Sequence, residues 1–210
     1  MFKNKILRQG FLVIIGQIIL GLGVGLIVFA NLGIDAFGVF HSGVAKTFNI
    51  SFGTAMFFES FVVLIAIFFI DKKYINFATV VSLFLVGFAA DFIQLVMTNI
   101  FTTPLSIVAS LIFVLIGCVL LGIGLNFYVL ANLGVGALDA IAEMTTDKTR
   151  FEYQKVKMAN DIFFLAVGWL LGGHVGVATI ITAVAIGPIV QFIRERVRKP
   201  IDIWINAEKI

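Results

Sequence analysis

The chain has 210 residues, of which 60% are hydrophobic and only 13% are charged, and its formal net charge is +3 at pH 7. Soluble domains carry about 25% charged residues, so this composition excludes an ordinary soluble protein and indicates an integral membrane protein embedded in the lipid bilayer. A single cysteine excludes an intramolecular disulfide, and the two histidines are isolated, so we expect no metal site, no other cofactor and no nucleic-acid partner.

Six apolar segments are long enough to cross a membrane, because about 20 helical residues span a hydrocarbon core of roughly 30 Å. In chain order they are residues 11–30, 52–70, 77–97, 105–130, 156–171 and 175–193. The fifth is short and contains Asp161. The first follows Lys3, Lys5 and Arg8 but is too long for the core of a signal peptide, so we predict an uncleaved first span.

Two further segments, residues 35–48 and 136–149, follow the first and fourth spans, and we predict that they form short helices that do not cross. Each has about fourteen residues, fewer than a spanning helix needs. The second contains Asp139, Asp147 and Lys148, and such charges each cost about 2.5–3.5 kcal/mol at the centre of a membrane helix. The sequence leaves open whether these helices re-enter the membrane, lie at its surface or cross it.

The distribution of basic residues predicts the orientation of the chain. With six spans and a cytoplasmic N-terminus, Lys46 alone among the 15 Lys and Arg residues lies outside. The positive-inside rule therefore predicts a multi-pass protein with both termini in the cytoplasm. The rule hardly separates six spans from eight, because crossing short segments would place only Lys72 and Lys73 outside.

The two halves of the chain share residues at a nearly constant offset. The matching pairs are Gly16 and Gly117, Gly23 and Gly124, the Ala-Asn-Leu-Gly runs at 30–33 and 131–134, Ala36 and Ala137, Thr79 and Thr179, and Gly87 and Gly187. Three spans in each copy mean that the second copy enters the bilayer from the opposite side, which is the plan of many secondary transporters.

We therefore predict an all-α membrane protein whose six transmembrane helices form a 3+3 inverted repeat, with an extra short helix after the first span of each half. The first half covers residues 1–98 and the second half covers residues 104–199. Residues 200–210 are expected to form a cytoplasmic tail.

The Gly-rich first span, followed by the motifs ANLGIDAF, SFGTAMF and VGFAADF, resembles the YczE/YyaS/YitT group of bacterial integral membrane proteins, most closely the YczE branch. The resemblance covers nearly the whole chain and implies a location in the bacterial plasma (inner) membrane. An acidic residue is expected near the start of the short helix in that group, and only Asp139 matches it here. The resemblance implies no particular substrate.

Candidate binding residues lie where the first span of each half ends at Asn-Leu-Gly and a short helix begins. Glycine suits such a helix end, and the start of the next helix presents unpaired N–H groups and a partial positive charge. We predict that an anionic or strongly polar solute group binds there, between the halves near mid-membrane. The candidate residues are Asn31, Gly33, Asp35, Asn132, Gly134 and Asp139. The alternative is that both asparagines only cap the broken helices.

Three carboxyl groups within spans are candidates for coupling transport to a proton or cation. They belong to Glu59, Asp91 and Asp161, and ionisable groups inside membranes often mark ion or substrate pathways. The alternative is a structural hydrogen bond or access to water at the interface. His41 is expected to be a surface histidine at the interface.

We predict no enzyme activity, because the chain has no GxSxG, HExxH or Walker motif. The preferred function is secondary transport of an unidentified small solute, with a homodimer as an open option. The alternative is a non-transporting accessory or scaffold subunit of a biosynthetic or transport system. A transporter needs a polar cavity between the halves, whereas a scaffold subunit is expected to have a well-packed interior.

Overall fold

The computed structural model describes residues 2–149 and 151–206, and this part of the chain contains eight α-helices and no β-strand. The helices are α1 (Phe2–Ala30), α2 (Ala36–Phe48), α3 (Phe52–Ile70), α4 (Phe77–Ile100), α5 (Ile107–Leu130), α6 (Ala137–Lys148), α7 (Tyr153–Leu170) and α8 (Val177–Asn206). The all-α class is therefore confirmed.

Five of the predicted spans correspond to helices that are long and apolar enough to cross a membrane, namely α1, α3, α4, α5 and α8. The remaining predicted span forms α7, which has 18 residues and a length of about 27 Å. It is more polar than the apolar stretches of the other five helices, because it contains Lys155, Lys157 and Asp161. The short helices α2 and α6 have 13 and 12 residues, which give only about 20 and 18 Å.

Both α1 and α5 end at the Asn-Leu-Gly runs in the same backbone conformation. Asn31 and Asn132 both have φ of 54°, and the glycines that follow, Gly33 and Gly134, have φ of 97° and 102°. These left-handed angles stop a helix, and glycine adopts them without the steric cost that a Cβ atom adds. The chain then continues as α2 in the first half and α6 in the second.

The centre of the fold is the antiparallel contact between α1 and α5. A Cβ atom on Gly16 would lie 2.8 Å from the carbonyl oxygen of Gly124, and one on Gly23 would lie 2.7 Å from that of Gly117. Small residues allow membrane helices to approach this closely. Since Gly16 matches Gly117 and Gly23 matches Gly124 in the repeat, the two contacts are reciprocal between the halves.

A second pair of reciprocal contacts joins each Asn-Leu-Gly turn to the opposite half. The backbone N–H of Ala178, at the start of α8, donates a 2.8 Å hydrogen bond to the carbonyl oxygen of Leu32. The N–H of Ala78, at the start of α4, donates a 3.0 Å hydrogen bond to that of Leu133. The turns and helix starts thereby satisfy backbone groups that lipid could not.

The last helix is longer than the sequence suggested. Helix α8 continues through Pro188 and Pro200 to Asn206, so residues 200–206 of the expected tail are helical. Ile201 and Ile205, one turn apart, are buried in a cluster that includes Leu12 on α1. This apolar stripe stabilises the extension of α8 by packing against α1. Residues 207–210 of the expected tail lie outside the described part of the chain.

Candidate functional site

A cavity of about 510 Å³ lies between the two halves, and residues of all eight helices line it. Its size falls within the range of sites for small molecules. The starts of both short helices border it, through Asp35 and Ala36 in the first half and Gly136 and Ala137 in the second. Apolar side chains supply most of the remaining lining surface, including Leu20, Val24, Val86, Leu121, Leu125 and Ile186.

The charged groups in the cavity lining are mainly acidic. Four carboxyl groups, those of Asp35, Glu59, Asp139 and Asp161, share the lining with a single lysine, Lys157, and with His41. With all of these carboxyl groups ionised, the lining has an excess of negative charge. The charged groups form two clusters, one in each half of the cavity.

In the cluster on α6 and α7, Lys157 lies between two carboxylates. Its ammonium group donates a 3.0 Å hydrogen bond to Asp139 Oδ1 and lies 3.9 Å from Asp161 Oδ1. The hydroxyl of Tyr128, on α5, donates a 3.3 Å bond to the other oxygen of Asp139. Asp139 is therefore satisfied within the protein, whereas Asp161 has only a long ion pair.

In the cluster on α2 and α3, His41 Nε2 lies 3.3 Å from Glu59 Oε2, and their side chains are only 4% and 6% exposed. The hydroxyl of Ser60 donates a 3.2 Å bond to the same glutamate oxygen. The rings of Phe40 and Phe52 both lie 5.8 Å from the imidazole, centroid to centroid. The pair is thus held in a largely apolar environment.

Buried polar atoms without a hydrogen-bond partner concentrate at this cavity. Among the described residues there are four such side-chain atoms: Gln17 Nε2, Glu59 Oε1, Asp161 Oδ1 and Thr146 Oγ1. The first three belong to residues of the cavity lining. Leaving a buried donor or acceptor unpaired costs about 1–3 kcal/mol, so these atoms indicate a place that a polar ligand or ordered water fills.

Of the six predicted binding residues, only Asp35 and Asp139 line the cavity. Asn31 and Asn132 are exposed at the helix ends. Gly33 lies where a Cβ atom would be 2.5 Å from the backbone nitrogen of Gly176, and Gly134 packs against the side chain of Asn76. The Asn-Leu-Gly turns thus lie at the joint between the halves, beside the cavity lining and outside it.

The three predicted coupling residues are also divided. Glu59 and Asp161 line the cavity, whereas Asp91 does not. The carboxylate of Asp91 accepts a 2.7 Å hydrogen bond from the N–H of Gly53 and another from the hydroxyl of Ser51. Asp91 therefore holds the start of α3, where a carboxylate also interacts favourably with the helix dipole.

Sequence reasoning missed several groups that the fold brings to the cavity. The prediction that His41 lies at the surface is wrong, because the residue is 3% exposed and faces Glu59. Its helix is pressed onto α7, where a Cβ atom on Gly43 would lie 2.6 Å from the carbonyl oxygen of Gly168. Lys157 was detectable, because it lies four residues before Asp161 and therefore on the same helix face.

The chain matches, over residues 7–195, the model of a family described as "Family of unknown function (DUF6198)". A Haemophilus influenzae (strain ATCC 51907 / DSM 11121 / KW20 / Rd) protein described as "Uncharacterized protein" is 29% identical over 177 residues, covering 83% of this chain and 78% of that protein. The "Uncharacterized membrane protein YczE" of Bacillus subtilis (strain 168) is 27% identical over 191 residues, 90% of this chain and 87% of that protein. The latter similarity confirms the resemblance drawn from the sequence motifs. No solved structure matches the chain.

Proposed function

We propose that this chain, which belongs to the DUF6198 family, is a secondary transporter that carries a small solute across the bacterial plasma membrane through its central cavity. The observation behind the proposal is the 510 Å³ cavity itself, with unpaired polar atoms of Gln17, Glu59 and Asp161 in its lining. A non-transporting scaffold gains nothing from leaving such groups unpaired in its interior. The free-energy cost of burying these groups is offset where a ligand or an ion binds them.

The proposal includes a six-span inverted repeat, with α7 as the sixth span. The antiparallel glycine contacts and the reciprocal hydrogen bonds to Leu32 and Leu133 support a twofold relation between residues 1–98 and 104–199. A twofold axis that relates antiparallel spanning helices lies in the membrane plane. The cavity accounts for the polar face of α7, since Lys157 and Asp161 line it while Met158 and Phe163 are exposed outside it.

Transport by this plan requires the cavity to open to each side in turn. The starts of α2 and α6 border the cavity from the two halves, so a rocking motion of one half against the other would expose it alternately. We propose that Glu59 and Asp161 couple this motion to a proton or cation, because both carboxyl groups lie in the lining and each has a buried oxygen without a hydrogen-bond partner. Asp91 has a structural hydrogen-bonding role instead.

Cysteine accessibility tests the transporter without knowledge of the solute. In a Cys118→Ala background, Ser82→Cys and Ser60→Cys place a thiol in the cavity lining from α4 and α3. We expect a membrane-impermeant maleimide to label both from either side of right-side-out and inverted vesicles. Ser110→Cys is the matched control, because Ser110 is buried on α5 but does not line the cavity. Cavity thiols that react from one side only, or from neither, would contradict alternating access and favour the scaffold function.

A further inference from the structure

We infer that the solute is a small organic cation, with an ammonium group that donates N–H hydrogen bonds and with an oxygen that accepts one. Its ammonium group binds in the acidic lining of the cavity, attracted by Glu59 and Asp161, and its oxygen accepts a hydrogen bond from the amide of Gln17. The inference rests on the proposed function, because it assigns a solute class to the same cavity. It goes beyond that function by specifying the charge and hydrogen-bonding groups that the solute must present.

The charges of the cavity lining are unbalanced. Four carboxyl groups face one lysine in the lining, and His41 can neutralise only one more of them. Desolvated charges of one sign are costly, so the cavity is most stable when protons or a cation compensate them. Asp35 interacts electrostatically with His41 of one cluster and with Lys157 and Asp161 of the other, so it links the two clusters.

Three buried polar atoms of the lining lack a hydrogen-bond partner. Glu59 Oε1 and Asp161 Oδ1 are buried and accept no hydrogen bond, and the Lys157 ammonium stays 3.9 Å from the latter. An ammonium group of the solute supplies up to three N–H donors. Gln17 is only 1% exposed, and its amide nitrogen has no partner. That nitrogen is a donor, so it needs an acceptor such as a hydroxyl or carbonyl oxygen on the same solute. Together, the three atoms are complementary to a ligand that carries both an N–H donor and an oxygen acceptor.

Carboxyl groups at the starts of α2 and α6 disfavour an anionic solute. The sequence predicted that the N-termini of α2 and α6 attract an anionic group, and a bare helix start would do so. Asp35 is the residue immediately before α2, and Asp139 lies in the first turn of α6, so carboxyl groups already face the cavity at both places. An anionic solute would meet the carboxyl group of Asp35 at the start of α2, and at the start of α6 it would have to compete with Asp139 for Lys157.

The arrangement of the acidic groups favours an organic cation over a metal ion. Among the described residues, no three His, Cys, Asp or Glu side chains are grouped closely enough to hold a metal ion. Acidic groups that are dispersed around 510 Å³ and separated by aliphatic side chains suit an organic cation with an apolar body. The aliphatic lining contacts the carbon chain, while the carboxylates contact the charged end.

Three small probes of matched shape test the inference by titration calorimetry on the purified full chain in lipid nanodiscs at pH 7. They are 4-amino-1-butanol as the cation, 1,4-butanediol as the neutral analogue and 4-hydroxybutanoate as the anion. We expect the cation to bind at least tenfold more tightly than the diol and the anion not to bind detectably. This comparison uses the unaltered protein, so it does not depend on any variant folding.

Neutral variants then locate the site. Glu59→Gln and Asp161→Asn should each weaken 4-amino-1-butanol binding at least tenfold. Glu152→Gln and Asp202→Asn are the matched controls, because both acidic groups are exposed and outside the cavity lining. Gln17→Leu should weaken binding of 4-amino-1-butanol but leave that of butylammonium, which lacks the hydroxyl, within about twofold.

The inference is overturned if the diol or the anion binds as tightly as the cation, or if neither cavity variant changes cation affinity. Its failure is distinct from failure of the proposed function. Anion binding with two-sided labelling of the Ser60→Cys and Ser82→Cys thiols would leave a transporter and remove the cation. Selective cation binding with one-sided labelling would keep the cation site and remove transport.

Discussion

The contact between Gly23 on α1 and Gly117 on α5 sets a steric limit that a single methyl group should exceed. A Cβ atom on Gly23 would lie 2.7 Å from both the carbonyl oxygen of Gly117 and the backbone nitrogen of Leu121. Ordinary van der Waals contact begins at 3.4 Å, and both neighbours are backbone atoms that cannot rotate away. The helices α1 and α5 must therefore separate to accommodate Gly23→Ala.

The magnitude follows from two opposing effects. Overpacking costs about 1–3 kcal/mol, and alanine recovers up to about 1 kcal/mol through its better helix propensity. We expect Gly23→Ala to lower the free energy of unfolding by about 1–2 kcal/mol. Gly10→Ala on the same helix is the matched control, since its Cβ atom would lie 3.7 Å from the ring of Phe77, an ordinary contact. That control should be neutral or slightly stabilised.

The assay is denaturant unfolding of the purified protein in detergent micelles, followed by circular dichroism. The double variant Gly23→Ala/Gly117→Ala should lose less than the sum of the single losses, because one separation of α1 from α5 relieves both contacts. A Gly23→Ala protein as stable as Gly10→Ala would show that α1 and α5 do not pack as described. Strict additivity in the double variant would show that the two glycines do not share one contact.

Three other predictions concern orientation, coupling and pH. Reporter fusions active only outside the membrane should be silent at both ends of the chain, and an active C-terminal fusion would contradict the six-span proposal. Glu59→Gln and Asp161→Asn should abolish pH-dependent uptake of a cationic solute in proteoliposomes, whereas Asp91→Asn should mainly lower thermal stability because it weakens the start of α3. At the loop after α3, a 2.6 Å hydrogen bond donated by the Tyr74 hydroxyl holds the pKa of the Asp147 carboxyl below its ordinary value. That stabilisation is present above the ordinary pKa and is lost as pH falls through the lowered one, so Tyr74→Phe should reduce the unfolding temperature at pH 7 and converge on the parent at the acidic end of a pH series.

Features that depend on neighbouring residues could be predicted from the sequence. The left-handed ends of α1 and α5 follow from Asn-Leu-Gly, and the short helices begin within a residue or two of the predicted positions. The glycines that meet across α1 and α5 were visible as repeated positions, although which glycine meets which was not. Helix ends and repeats are encoded over a few residues, so they need no knowledge of packing.

Features that depend on residues far apart in the chain could not be predicted from the sequence. Asp91 and Gly53 are 38 positions apart, so the cap that Asp91 provides for α3 was not foreseen. The extension of α8 to Asn206 was missed because Ile201 and Ile205 are stabilised by apolar residues of α1 near the other end of the chain. A local pattern with Pro200 and several charges gives no sign of this packing.

By itself, the sequence determined that the protein is a helical membrane protein and where most of its helices begin and end. These features follow from hydrophobic content and backbone preferences, which act locally. Only the tertiary structure decided which side chains meet in the cavity. His41 and Glu59 lie on different helices, and Lys157 reaches Asp139 across the junction of α6 and α7. Which side chains meet depends on the rotation of each helix about its own axis. That rotation is set by backbone contacts between residues more than 100 positions apart, such as Gly16 with Gly124 and Gly43 with Gly168.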